Sequence, residues 1–376
     1  MAWDRIQIGR QLNKPIPVHG WKYFSMGIVE EGVNGYSLSH NGIDLVYFPN
    51  MFGRRILKIS FNLGKLYHGD NIASIWACNL QELHQRLNCL LDGIINLNDI
   101  GLIRYWNVYQ YECFADFVIH ELDMNAWIKV ISKSSIKYRQ IDPTYVDRGT
   151  IYFHSSKLLA DSHTNVKIYD KLKHKRDIES KHNLPRVDYN QSELINLPLG
   201  YRILRVEIFY DKDRVKLLNK REAIVSTNII STPNIMNAYD PTPEHCFFTV
   251  EELFSYSRQV RDLGDVISEL HLDRPVTTTK KLIAAVKELG YSNTITKNVI
   301  DTLKYINNPK RYKKFNDDRI RRHKLIIKET GYHFISSNRE LHPLSLDNDV
   351  ISRLPDEQKE MINRYYNSNI FRDYFR

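Results

Sequence analysis

Several things are scarce in this chain of 376 residues. It has only 4 cysteines, Cys78, Cys89, Cys113 and Cys246, which lie far apart and form no Cys-x-x-Cys pair. That spacing speaks against a zinc site and a disulfide framework, and it suits the reducing cytoplasm of a bacterial or other host cell. No stretch reaches the ~18 consecutive apolar residues of a membrane helix. The segment Met1 to Asn13 carries Asp4, Arg5 and Arg10 in place of the apolar core of a signal peptide, so neither secretion by that route nor a membrane partner is expected. The Gly-x-x-x-x-Gly-Lys-Ser/Thr loop, the Gly-x-Ser-x-Gly elbow and the His-Glu-x-x-His helix are all missing, and the 14 histidines contain no His-x-His pair. A nucleotide-phosphate loop, a serine-hydrolase elbow and a histidine-rich metal site therefore drop out. What remains is 42% hydrophobic and 26% charged, the make-up of a folded protein with a real core. Lys and Arg number 53 against 44 Asp and Glu, a formal charge of +9, and that excess favours a polyanionic partner because basic side chains release counterions when they neutralise phosphates. The 23 tyrosines add residues that serve equally in sheets and as stacking platforms.

Along the chain the pattern predicts two sheet-plus-helix units that share one core, an α+β design with an antiparallel sheet. Up to about Phe61 there are short strand-like runs: Trp21 to Val29, then Tyr36-Ser-Leu-Ser and Ile43 to Phe48 joined as a hairpin by His40-Asn41-Gly42, then Arg54 to Phe61. A helix is predicted over Asn79 to Asn96, with Leu80, Leu83, Leu87, Leu90, Leu91 and Ile94 on one face and Asn79 as its cap. The second unit repeats the scheme with a strand from Ile103 to Ile119, a helix from Met124 to Ser135, strands Thr150 to His154 and Asn165 to Tyr169, a basic helix from Lys171 to Asn183, and the apolar strand Arg202 to Tyr210. The linker-like run Asn234 to Pro243 divides a first domain, 1–240, from a second, 241–376, which is helical at Val250 to Leu263, Thr278 to Leu289, Thr296 to Ile306 and Asp317 to Glu329. Gly290 between the second and third of these helices gives a helix-turn-helix outline, which suits DNA docking or a packed helical hairpin. The stretch from Lys310 to Lys324 holds Lys310, Arg311, Lys313, Lys314, Arg319, Arg321, Arg322 and Lys324 against two acids, a net +6, with Tyr312 and Phe315 interleaved. It reads either as a solvated helix face or as a phosphate-contacting strip.

Acids at strand spacing are the candidate chemistry. Glu112 and Asp116 share a face of one strand, since the side-chain period is two. Glu207 lies in the apolar strand Leu204 to Phe209 beside Arg205 on the same face, where a lone carboxylate is costly. Either Glu207 pairs with a cross-strand Lys or Arg, or it joins Glu112 and Asp116 in holding a hard divalent cation through oxygen. Lys167, Tyr169 and Lys171 fall on one face of a further strand, so two ammonium groups are expected to lower the phenol's pKa from about 10 and to offer charge to a phosphate. An ordinary tyrosine at a strand end is the other reading.

The order of Gln110-Tyr-Glu112-Cys-Phe-Ala-Asp116, Val166-Lys-Ile-Tyr169-Asp-Lys171-Leu-Lys173-His174 and Leu204-Arg205-Val-Glu207-Ile resembles the nuclease core of rolling-circle replication initiators, the filamentous-phage gene II proteins and the staphylococcal plasmid initiators. Arg55 to Asn62 resembles a further strand of that family, and the likeness covers about residues 50 to 212. It implies Tyr169 as nucleophile with Lys171 beside it, and Glu112, Glu207 and Asp116 as ligands of Mg²⁺ or Mn²⁺. Lys167, Lys173 and Arg205 would join the basic strip on DNA. The implied activity is metal-dependent nicking and rejoining of single-stranded or supercoiled origin DNA through a 5′-phosphotyrosine. A host helicase and polymerase are the implied partners, and monomer or dimer is left open. Ser60, Glu112 and Gln110 depart from the family's usual Glu, Asp and Arg. A conjugative relaxase with the same chemistry, or a non-catalytic origin-binding regulator, are the alternatives, and Tyr23, Tyr152 and Tyr201 are the substitute nucleophiles.

Overall fold

A computed structural model describes residues 2–26, 33–68, 79–136, 139–142, 149–155, 164–181, 199–218, 248–254, 256–312 and 315–344. Its frame is one 10-stranded antiparallel sheet in the order β2-β3-β4-β5-β1-β6-β10-β9-β8-β7. The strands are β1 (Ala2–Leu12), β2 (Lys22–Met26), β3 (Val33–His40), β4 (Ile43–Met51), β5 (Arg54–Asn62), β6 (Asn107–His120), β7 (Arg139–Ile141), β8 (Thr150–Ser155), β9 (Thr164–Asp170) and β10 (Tyr201–Tyr210). The β3–β4 hairpin turns as the sequence predicts, with Asn41 at φ 50° and Gly42 at φ 76°, the positive dihedrals that a two-residue turn demands.

The strand order is a palindrome. If β6 to β10 are counted as a second set of five, each half reads 2-3-4-5-1 outward to inward, and the halves meet at the antiparallel β1–β6 pair. A pseudo-twofold axis perpendicular to the sheet therefore relates them, and it leaves equivalent residues on the same face. It superposes β5 on β10, where Arg55-Ile-Leu-Lys58-Ile-Ser60 aligns with Arg202-Ile-Leu-Arg205-Val-Glu207. The two units expected from sequence are thus continuous halves of one sheet.

Alternation gives that sheet two unlike faces. Ile6, Ile8, Leu45, Leu57, Ile59, Cys113, Ala115, Ile151, Phe153, Ile168, Leu204, Val206 and Ile208 are buried and belong to one continuous core. The helices that complete that core are α2 (Leu80–Leu90), which supplies Leu80, Leu83 and Leu87, and α4 (Glu121–Ile131), which supplies Met124, Trp127 and Val130. Asn79 caps α2 as predicted, but the helix stops at Leu90; Gly93 at φ 74° turns the chain, and a separate turn, α3 (Leu97–Ile100), follows Asn96. The other helices of the sheet region are α1 (Leu63–His68), α5 (Lys171–Lys181) and α6 (212–218).

The C-terminal part is helical, with α7 (Val250–Leu253), α8 (Tyr256–Glu269), α9 (Thr279–Glu288), α10 (Asn293–Asn307) and α11 (Asp317–Glu329). The linker expected at 234–243 lies outside the described residues. Phe248, Val250, Leu253 and Leu263 sit in the same apolar core as the sheet. Tyr111 on β6 donates its hydroxyl to Asp262 on α8 at 2.7 Å, and its ring stacks on Tyr210 at 4.7 Å. Tyr111→Phe keeps the packing and removes one charge-assisted bond, so it is expected to cost about 1.5–3 kcal/mol in urea unfolding with an unchanged m-value.

Candidate functional site

The face opposite the core is polar at its centre. Glu112, Phe114 and Asp116 on β6 stand opposite Phe209, Glu207 and Arg205 on β10, and Glu207 and Arg205 stand in turn opposite Lys167 and Tyr169 on β9. Three adjacent strands thus bring together Glu112, Asp116, Lys167, Tyr169, Arg205 and Glu207, as the sequence suggested. Lys167 is the basic residue opposite Glu207 in the β9–β10 register, with its ammonium over the Tyr169 ring.

At the centre is an ion pair. Arg205 is 0% exposed and donates through Nε and an η-nitrogen to both oxygens of Asp116, each at 2.7 Å, with its guanidinium 3.5 Å above the Phe114 ring. Burial opposes the guanidinium charge, but the Asp116 carboxylate outweighs it and holds Arg205 above its usual pKa. Two of the expected roles change as a result. Both Asp116 oxygens are engaged, which makes it a poor cation ligand, and a fully buried Arg205 cannot lie against DNA. Removing one member of such a pair leaves a buried charge, so Arg205→Met is expected to lower stability by about 3–5 kcal/mol in denaturant unfolding.

Tyr169 is the penultimate residue of β9 and is only 2% exposed. Its hydroxyl donates to Glu207 Oε2 at 2.8 Å, the Lys167 ammonium lies 4.3 Å from the ring centroid, and the His174 ring meets it edge-on at 4.8 Å. Contrary to the expectation from the flanking lysines, the phenol's pKa is raised, first by burial and then by the Glu207 carboxylate. Lys171 does not continue the strand; it opens α5, is 3% exposed, and is lowered to about 7 chiefly by burial, with Arg205 adding to the effect. His174 is lowered to about 4, again mainly by burial. Lys173 is exposed and its backbone N–H bonds Asp170 at 3.0 Å.

Asp4 on β1 escaped the sequence reading. It is 6% exposed, accepts a hydrogen bond from Asn62, and sits in the bulge between Trp3 and Ile6 where the β1–β6 register shifts. Burial raises its pKa, Arg205 pulls it down and Glu207 pushes it up. Glu112 is raised to about 8, by burial first, then by the negative charges of Glu207 and Asp4. The pattern signal for Asp4 was a lone acid in an alternating run, Asp4-Arg-Ile6-Gln-Ile8.

Among the described residues no three Asp, Glu, His or Cys side chains form a ready-made metal cluster. Mg²⁺ and Mn²⁺ sites commonly use one or two carboxylates, with water and substrate phosphate completing the shell. Glu112 and Glu207 fit that pattern, because their mutual repulsion is what a cation would relieve. A raised Glu112 means that the folded state keeps a proton which the unfolded chain sheds near 4.5, so the cost of Glu112 is absent below that pH and grows as pH rises toward about 8. The stability difference, wild type minus Glu112→Gln, is therefore expected to fall by up to about 1.4 kcal/mol per pH unit across this window, and Mn²⁺ is expected to restore it increasingly as pH rises.

The remaining candidates are more scattered. Tyr23 is on the edge strand β2, Tyr201 packs on His120, and Tyr152 faces Lys167 across β8–β9. Ser60 is buried and accepts from Gln7 Nε2 at 2.9 Å, and Gln7 is opposite Gln110. In the basic strip Lys313 and Lys314 lie outside the described residues. Arg319 turns inward to Asn298 at 2.9 Å and to the Phe315 ring, Lys324 lies over Phe334, and Arg321 pairs with Asp318 at 3.5 Å. Lys310, Arg311 and Arg322 are exposed. Residues 289–292 link α9 to α10, with Gly290 at φ 76°. Among the described residues no helix is long and apolar enough to cross a membrane. Comparison with known proteins brings no match, whether to a family model, a curated protein or a solved structure.

Proposed function

We propose that the chain is a replication initiator of a phage or plasmid, a site-specific nuclease that nicks and rejoins origin DNA through Tyr169. One observation carries this reading: a phenol hydrogen-bonded at 2.8 Å to a carboxylate, with basic groups at Lys167, Lys171 and His174 around it and two further acids, Glu112 and Asp4, alongside. A phenol held above its usual pKa needs a base at the moment of attack. Glu207 Oε2 is placed to take the proton as Tyr169 Oη forms its bond to phosphorus and the bond from phosphorus to the 3′ oxygen breaks. Lys171, near neutrality, is suited to return a proton to that leaving oxygen. The product is a 5′-phosphotyrosine and a free 3′ hydroxyl, and the bond energy kept in the ester permits rejoining without a nucleotide. A divalent cation held by Glu112 and Glu207 would offset charge on the pentacoordinate phosphorane. The exposed bases Lys310, Arg311 and Arg322 and the α9–α10 pair would serve origin binding by the C-terminal part, 241–376. A conjugative relaxase uses the same chemistry.

The shielding of Tyr169, 2% exposed, favours a second reading, a non-catalytic origin-binding protein that keeps the sheet as a clamp. The two part on one measurement. Labelled single-stranded DNA of the protein's own replicon, with Mn²⁺ or Mg²⁺, is expected to give a denaturation-resistant adduct that Tyr169→Phe abolishes and Glu207→Gln reduces by about 100-fold. The absence of an adduct with any divalent cation decides for the clamp, whereas an adduct undiminished in Tyr169→Phe removes Tyr169 as the nucleophile and turns the assignment to Tyr23, Tyr152 or Tyr201.

A further inference from the structure

The pseudo-twofold axis implies a second location on the polar face, equivalent to the Tyr169 site but built from the first half. The strand registers identify its residues. Glu207 pairs with Lys167, and Ser60 pairs with Asp44; Arg205 pairs with Tyr169 on one side and Asp116 on the other, and Lys58 pairs with Val46 on one side and Gly9 on the other. The equivalents of the phenol, the carboxylate and the arginine's acid are thus Val46, Ser60 and Gly9. The phenol, the carboxylate and the acid have each been replaced; the positive charge of Arg205 is kept as Lys58, while the position of Lys167 is taken by Asp44, which pairs with Arg5.

That charge is no longer neutralised in the same way. Arg205 is clamped by Asp116, whereas Lys58 faces Gly9. A side chain is excluded there by packing: a Cβ on Gly9 would come 2.7 Å from Tyr109 Cε2 and 2.9 Å from the Leu57 carbonyl oxygen. The Lys58 ammonium rests instead on two rings, 4.5 Å from the centroid of Tyr109 and 5.5 Å from that of Phe48. Aromatic faces attract the cation but supply no counter-charge. More positive charge converges on it. Beyond the last β10–β6 pair, Tyr210 with Tyr111, the chain turns into helix α6, which carries Lys212 and Lys216 one turn apart. Burial lowers Lys58 to about 8, with Lys212 and then Lys216 adding to the effect. An anion shared between these lysines would relieve their mutual repulsion, which Asp213 beside Lys212 offsets only in part.

We infer that Lys58, Lys212 and Lys216 form a second station on the polar face of the sheet, which grips the phosphate backbone of a single-stranded nucleic acid passing over the Tyr169 site. The inference rests on the proposed function for the strand's direction of travel, but the grip itself does not need Tyr169 to react. Lys58 and Tyr169 are separated by four strand spacings, from β5 through β1, β6 and β10 to β9, or roughly 19 Å across the sheet. Both are sunk into the face, Lys58 half-buried and Tyr169 buried. A single strand can bend into two recessed points that far apart, whereas a duplex is stiff over far longer distances and holds its phosphates on its rim.

The test is equilibrium binding of fluorescent oligothymidylate of about 15 nucleotides, followed by anisotropy over a salt series. The proteins are the full chain, Tyr169→Phe, and the triple variant Lys58→Met, Lys212→Ala, Lys216→Ala, in which Met keeps the seat on the two rings. Loss of three phosphate contacts on a single strand is expected to reduce the slope of log affinity against log salt by about 2. Tyr169→Phe should leave the slope unchanged, and a duplex of equal length should lose less than the single strand. Unchanged slope and affinity in a triple variant that melts like the wild type would overturn the inference, as would an equal loss for duplex and single strand. The adduct assay separates the two readings: a reduced slope without any adduct keeps the station and removes the nicking activity, and an adduct with an unchanged slope does the reverse.

Discussion

The bidentate contact between Arg205 and Asp116 is the constraint on which the polar face depends. It joins β10 to β6 at the middle of the sheet, and because Arg205 also stands opposite Tyr169 it sets the position of the phenol relative to β6. Such a pair gains little over an apolar replacement of equal volume, since desolvating two charges offsets most of their attraction. What it adds here is a fixed positive centre beneath Asp4, Tyr169 and Lys171, whose proton affinities all respond to it. The phenol's hydrogen bond to Glu207 lies in the same field.

Much of the architecture was legible in local pattern. The β3–β4 turn, the longer strands of the second half, the Asn79 cap and helices α9 to α11 follow from short-range periodicity and turn chemistry, whereas the single helix expected over Val250 to Leu263 is two, α7 and α8. β1 was the principal strand missed. Its polar residues Asp4, Arg5 and Gln7 alternate with Ile6 and Ile8 over too few positions to stand out, yet it lies at the centre of the sheet with partners on both edges. The palindromic arrangement was also written in the chain, in the likeness of Arg55 to Ser60 and Arg202 to Glu207, but it became readable only once both segments occupied equivalent places.

The candidate site was legible as a set of residues and not as a set of roles. Spacing alone put Glu112, Asp116, Arg205 and Glu207 on common faces. Which carboxylate stays available and which is locked depends on registers between strands that are far apart in sequence, as with Arg205 and Asp116. The proton affinity of Tyr169 was misjudged for a related reason: the flanking lysines are visible in the sequence, while the burial that outweighs them is a property of the packed sheet. The same limit applies to the basic strip, where charges counted as one surface divide into those facing solvent and those turned onto Asn298, Phe315 and Phe334.

The central place of β1 also bears on how the chain reaches its structure. Among the described strands it is made before the others, its partner β5 follows within the same half, and its other edge waits for β6, whose Phe114 pairs with Ala2. Until β6 has emerged, the growing chain presents a half-sheet with an unpaired inner edge, and β6 in turn needs β10, where Tyr111 meets Tyr210. Contacts of such long sequence separation make for slow folding. An edge left open meanwhile is one that a second nascent chain can pair with. Such an open inner edge exists during synthesis between completion of β1 to β5 and arrival of β6.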